Sequence, residues 1–230
     1  MPDGILFPVS IKRENPEFTP YKVMNLRHYI SHYIGYHVMF TLYMHEQSYN
    51  QYRREVSATS MQSYVAATMV QLAKPYMIED AKVLDPFVGT GTLLIERCFA
   101  KSAHFVMGID VYGQGIESAR KNAKLAGQNI YFVHKDSLRF VNNEMFDEII
   151  TDMPTFAQMK DQEQLQNLYD RFFERIRRLV KPGGYVFLYT SEISLVRKNL
   201  RLQEGYLSLE EHYEVPRGKN MFYFFIIKVK

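Results

Sequence analysis

From residue 82 onward, short apolar runs alternate with amphipathic stretches along the chain. Lys82–Pro86, His104–Asp110, Asn129–Lys135 and Phe146–Thr151 read as strands; the third sets Ile130 and Phe132 against Tyr131 and Val133. Between them, Thr92–Lys101 and Gly115–Ala126 read as helices, the second with Ile116, Ala119, Ala123 and Leu125 inward. Gln162–Val180 predicts a long helix, with Leu165, Leu168, Phe172, Ile176 and Val180 near helical spacing. Lys181-Pro182-Gly183-Gly184 ends it, because proline cannot continue a helix and glycine accepts the C-terminal geometry. Tyr185–Thr190 follows as a strand and Ser191–Leu200 as a helix. Tyr206–Val215 and Met221–Val229 are then strands joined through Pro216–Asn220, a link short enough for an antiparallel hairpin.

This alternation predicts an α/β fold, a mostly parallel sheet of seven strands covered by helices on both faces. The first 56 residues have a different character: Tyr21–Ile34 reads as an aromatic-rich helix and Tyr36–Tyr43 as a strand. The expected organisation is a small N-terminal extension, 1–56, ahead of a domain spanning 57–230. With 230 residues and 47% hydrophobic content, the chain can bury a sizeable core. Its net charge of +3 permits a nucleic-acid partner without marking one. A single cysteine, Cys98, excludes an internal disulfide framework, and its spacing from Leu94 makes it a packing residue. His104, His134 and the N-terminal histidines lack metal-ligand spacing, so no metal site is expected. There is no signal peptide and no apolar run near the roughly 18 residues that span a bilayer, so the expectation is a cytoplasmic protein without a membrane partner. The abrupt strand-like start at Ile5–Val9 suggests a domain cut from a longer chain.

The candidate chemistry centres on Val83-Leu84-Asp85-Pro86-Phe87-Val88-Gly89-Thr90-Gly91-Thr92, where a strand runs through a glycine-rich turn into a helix. Ligands of open α/β sheets sit outside the carboxyl ends of strands, where this turn lies. A phosphate-cradling P-loop needs Gly-Lys-Ser/Thr, and Gly91-Thr92-Leu93 has no lysine. A dinucleotide fingerprint needs a third glycine, and Leu94 stands there. Asp85 would repel a pyrophosphate and suits a cation. Asp110 ends the next strand, at a position suited to a carboxylate holding both hydroxyls of a ribose. The third strand ends in Lys135-Asp136-Ser137, a polar pair able to bracket an adenine, and the fourth in Thr151-Asp152-Met153-Pro154-Thr155-Phe156. Four consecutive strands thus end in aspartate.

On these residues the chain resembles the class I S-adenosylmethionine-dependent methyltransferases, and specifically the methylase domain found with THUMP domains in RNA (guanine-N2) methyltransferases. The loop Leu84–Thr92 matches that family's pattern nearly throughout. Gly108-Ile109-Asp110, Ile149–Pro154 and Lys181–Gly184 follow in order, and Ser57–Met61 lies where the family leads into its first helix. The resemblance covers 57–230 and implies a Rossmann-like sheet of order 3-2-1-4-5-7-6, its last strand antiparallel. It also implies S-adenosylmethionine as cofactor. Thr59, Asp85, Phe87, Gly89, Thr90, Gly91, Asp110, Val111, Asp136, Ser137 and Asp152 would surround it, with Asp85 near its ammonium. Asp152-Met153-Pro154 would hold a target amine, Asp152 and the carbonyl of Met153 or Pro154 accepting its protons. Asp152, Pro154 and Phe156 are the candidate catalytic residues.

The implied function is methylation of RNA (tRNA or rRNA) on an exocyclic base amine such as guanine N2, with an upstream RNA-binding domain outside this chain. Two other classes stay open: a catalytically weak cofactor-binding module that positions RNA, and a DNA adenine-N6 methyltransferase. Many amine-methylating relatives carry an aromatic residue directly after the proline, where this chain has Thr155, with Phe156 one position later. Either Phe156 supplies the ring, or the target needs none, or transfer has been lost. Arg171, Arg175 and Arg178 share a helical face that reads as solvated, whereas Arg53 and Arg54 with Tyr49 and Tyr52 suit RNA contact.

Overall fold

The computed structural model describes residues 52–57, 60–142, 144–217 and 219–230. The expected N-terminal helix and strand, and Thr59 and Tyr49, lie outside the described residues. Seven strands form one sheet of order β3-β2-β1-β4-β5-β7-β6. They are β1 (Ala81–Asp85), β2 (Ala103–Asp110), β3 (Tyr131–His134), β4 (Phe146–Asp152), β5 (Val180–Thr190), β6 (Leu207–Arg217) and β7 (Asn220–Val229). β1 to β5 run parallel, and β7 lies antiparallel between β5 and β6. The expected strand order and antiparallel last strand are therefore present.

Helices cover both faces. α1 (Ser63–Ala73), α2 (Thr92–Ala100) and α3 (Gly113–Leu125) pack on one side, over a core that includes Met69, Val83, Leu94, Ile116 and Phe187. A single turn, α4 (Phe156–Met159), leads to α5 (Gln162–Leu179), which lies with α6 (Ile193–Leu202) on the other face over Leu84, Ile149, Phe172 and Val186. β1 and β4 are apolar on both faces because each is buried from both sides, as central parallel strands must be. Asp161 caps α5, accepting from the Gln164 amide at 3.0 Å. Among the described residues no helix is long and apolar enough to cross a membrane.

Three local expectations need correction. Leu125 is 49% exposed, because two residues beyond Ala123 it rotates off the stripe that buries Ile116, Ala119 and Ala123. Lys181–Gly184 does end the helix but then pairs as the irregular start of β5. Gly183 sits at φ +84°, and a Cβ on Gly184 would come within 2.5 Å of the Asp147 carbonyl. The hairpin link is tighter than five residues, since Arg217 already pairs with Asn220.

One buried ion pair ties the two sides of the first crossover together. Arg97 on α2 donates through Nε and a terminal nitrogen to the two Glu148 oxygens on β4, at 2.8 and 3.2 Å, with both side chains fully out of solvent. The Arg97 guanidinium also donates to the Lys101 carbonyl at 2.7 Å, so the charge is paired and its donors are used.

Candidate active site

Because β3, β2, β1 and β4 are adjacent and parallel, their carboxyl ends share one edge, and Asp136, Asp110, Asp85 and Asp152 stand along it in that order. The turn after β1 is shaped by Gly89 (φ +51°) and Gly91 (φ +83°), conformations that L side chains resist. A Cβ on Gly91 would also press on Ala119 Cβ at 3.2 Å, so α2 and α3 close against the turn only because that Cβ is missing.

Asp110 organises this turn. One of its oxygens accepts from the Gly89 amide and the other from the Tyr112 amide, each at 2.8 Å. Asp136 likewise accepts from the Leu138 amide at 2.9 Å. Asp85 lies deeper. Its carboxyl is buried and accepts from the Phe87 amide (3.0 Å) and the Thr151 hydroxyl (2.8 Å), and burial pushes its pKa up to about 8 despite those donors. Burial also raises Asp152, to about 7, while the Arg217 guanidinium opposes the shift.

A cavity of about 1120 Å³ runs along this edge. Of the residues singled out in the sequence, Phe87, Gly89, Thr90, Asp110, Val111, Asp136, Ser137, Asp152 and Pro154 line it. Asp85 and Gly91 lie behind the lining. Phe156 is also outside it: the ring is 47% exposed on α4, and its amide donates to Glu192 at 3.0 Å. Thr155 is buried and caps α4 together with Gln158. Among the described residues no cluster of His, Cys, Asp or Glu could hold a metal ion.

Several contributors were missed in the sequence. Asn122 on α3 donates to the Thr90 carbonyl at 3.0 Å and exchanges bonds with the Glu55 backbone at 2.8 and 3.1 Å, fastening the segment before α1 to the glycine turn. Its one signal was a polar residue set inside the buried stripe of α3. The Ser60 and Thr90 hydroxyls meet at 2.9 Å, and Val56, Ser57 and Met61 line the cavity. Tyr52 and Arg53, read as RNA contacts, do different work. Tyr52 is buried with its hydroxyl donating to Glu96 at 2.5 Å, and Arg53 reaches the Met61 carbonyl at 2.6 Å. The thiol of Cys98 is pushed by burial to about 11, which suits packing rather than reactivity.

A family model described as "RMKL-like, methyltransferase domain" matches residues 50–218. The chain belongs to this family. The RMKL-like methyltransferase domain is 27% identical over 164 residues to the tRNA (guanine(10)-N2)-dimethyltransferase of Methanothermobacter thermautotrophicus, covering 69% of this chain and 47% of that protein. It is also 33% identical over 98 residues to the release factor glutamine methyltransferase of Buchnera aphidicola, covering 40% of this chain and 35% of that protein. The chain thus spans less than half the length of each. The crystal structure of TrmN from Thermus thermophilus superposes with a TM-score of 0.67 at 22% identity, covering 97% of this chain and 71% of that one. That likeness, with the sheet order above, makes the fold of this RMKL-like domain that of the Rossmann-like methyltransferases.

Proposed function

We propose that this chain is an S-adenosylmethionine-dependent methyltransferase acting on RNA, at an exocyclic base amine such as guanine N2. The single observation carrying this reading is that Asp110, Asp136 and Asp152 open into one cavity with the glycine turn, next to the buried Asp85. The residues fit the cofactor's chemistry. A buried carboxyl with a pKa near 8 lacks a cation, and a ligand that brings ammonium and sulfonium charges would return it to its ionised form. Asp110 keeps acceptor capacity beyond its two backbone bonds for ribose hydroxyls, and Asp136 with Ser137 lines the neighbouring wall for an adenine.

When bound, the cofactor supplies a methyl group on a sulfonium, a strong electrophile. Asp152 accepts a proton of the target amine in a hydrogen bond, turning the nitrogen lone pair towards the methyl group. The Met153 carbonyl is the second acceptor, because the Pro154 carbonyl already accepts from the Tyr169 hydroxyl at 3.0 Å. The walls exclude water and hold the two reactants in line, the main contribution a protein makes to such a transfer.

RNA is favoured over a protein amide because the match to the tRNA-modifying relative covers 69% of this chain and that to the glutamine-modifying one 40%. Incubation with methyl-labelled S-adenosylmethionine and, in parallel, total tRNA, rRNA, DNA and a glutamine-bearing peptide tests the choice. Label in RNA is the expected result; label confined to DNA or peptide, or bound cofactor with no transfer, overturns it.

A further inference from the structure

The edge beyond Asp152 carries a group that the mechanism above leaves unused. Tyr189 on β5 pairs with Asp152 across the parallel ladder and is fully buried, yet its hydroxyl has no hydrogen-bond partner among the described residues. An unpartnered buried hydroxyl is costly and calls for a reason. The Tyr189 ring stacks on Phe222 of β7, with centroids 5.0 Å apart and planes 11° from parallel. The Arg217 guanidinium carbon, at the end of β6, lies 5.5 Å from the centroid of the same Phe222 ring. β6 runs parallel to β5 in this sheet, so Arg217 arrives at the edge where Asp152 stands. It is close enough to act electrostatically on both Asp152 and Tyr189.

We propose that Tyr189, Phe222 and Arg217 form the platform on which the acceptor base lies beside Asp152, in place of the ring that does not follow Pro154. This rests on the base-amine reading above and names the group that recognises the base. Phe156 faces away from the cavity and Thr155 is spent on a cap, so the flat surface an acceptor base needs comes from elsewhere on the edge. Aromatic rings and guanidinium planes are the two surfaces on which proteins stack unpaired bases. The free Tyr189 hydroxyl supplies a polar partner for the base edge.

The chain contains no tryptophan, so Phe222→Trp places a single indole in the platform while keeping a flat ring there. With S-adenosylhomocysteine bound, a guanosine-containing single-stranded oligoribonucleotide should quench that indole. Phe222→Leu should raise KM for methylation of the responsive RNA by about tenfold to a hundredfold, the range expected for one lost stacking partner. Arg217→Gln should act in the same direction, with cofactor affinity by calorimetry unchanged in both. An oligoribonucleotide that binds by fluorescence anisotropy without altering indole emission overturns the platform, even if the wild-type chain methylates RNA. Should the wild type label no RNA, the function proposed above fails separately, and a single-stranded DNA oligonucleotide decides the platform: quenching supports it and silence overturns it.

Discussion

Thr151 on β4 donates its hydroxyl to Asp85 on β1 across 2.8 Å, in a contact from which water is excluded. The bond joins the two strands whose ends carry the two halves of the proposed chemistry. One hydroxyl and one amide do not compensate a carboxyl taken out of water, so Asp85 stays protonated up to about pH 8.

Cofactor binding should therefore release a proton at neutral pH. A cationic ligand favours the ionised form of Asp85, so affinity rises with pH and levels off above about 8. Calorimetry in two buffers of different ionisation enthalpy measures the release directly. Asp85→Asn should abolish it and weaken binding on the order of tenfold or more. The same shift governs stability without ligand. The folded carboxyl holds its proton where the unfolded one has lost it, so stability attributable to Asp85 declines as pH rises from about 4 to about 8.

Asp110→Ala should weaken cofactor binding about tenfold to a hundredfold, the loss expected for about 1.5–3 kcal/mol of charge-assisted hydrogen bonding. The Gly89 and Tyr112 amides lose their acceptor as well, so Asp110→Asn is the milder partner variant. Unchanged affinity in the alanine variant would count squarely against the ribose role.

Breaking the Arg97–Glu148 pair should be among the most damaging changes outside the site. Removing one partner leaves the other charged, buried and alone, at a cost of about 3–5 kcal/mol. Glu148→Ala should therefore lower Tm by roughly 6–20 °C. The double variant Arg97→Met with Glu148→Leu should recover much of that loss in thermal unfolding.

Asn122→Ala should loosen the segment around Glu55 and the turn at Thr90 together, since one side chain holds both. Hydrogen exchange of the Glu55 amide should quicken, and cofactor affinity should fall several-fold while Tm changes less than for the ion-pair variant. Faster exchange with intact affinity would mean that this fastening does not support the turn.

Much of the edge was legible because its parts are local. The Asp85–Thr92 turn announces itself by glycines at fixed offsets, and each strand-end aspartate follows directly on an apolar run. The Tyr189–Phe222–Arg217 group was not legible, because β7 folds back between β5 and β6 and joins residues far apart in the chain. Asn122 was hidden for a related reason: a polar residue in a helical stripe gives no hint that its partners lie in two distant loops. Tyr52 and Arg53 misled because an aromatic–basic pair looks the same in sequence whether it faces RNA or clamps α2. Thr155 reads as a missing ring in sequence, whereas its structural role is to cap α4 with Gln158.

The most direct test of the central claim is mass spectrometry of nucleosides from RNA incubated with this chain and S-adenosylmethionine, alongside an Asp152→Ala control. The account predicts N2-methylguanosine that rises with wild-type protein and is lost or sharply reduced with the variant. No methylated nucleoside, or equal amounts with both proteins, would contradict it.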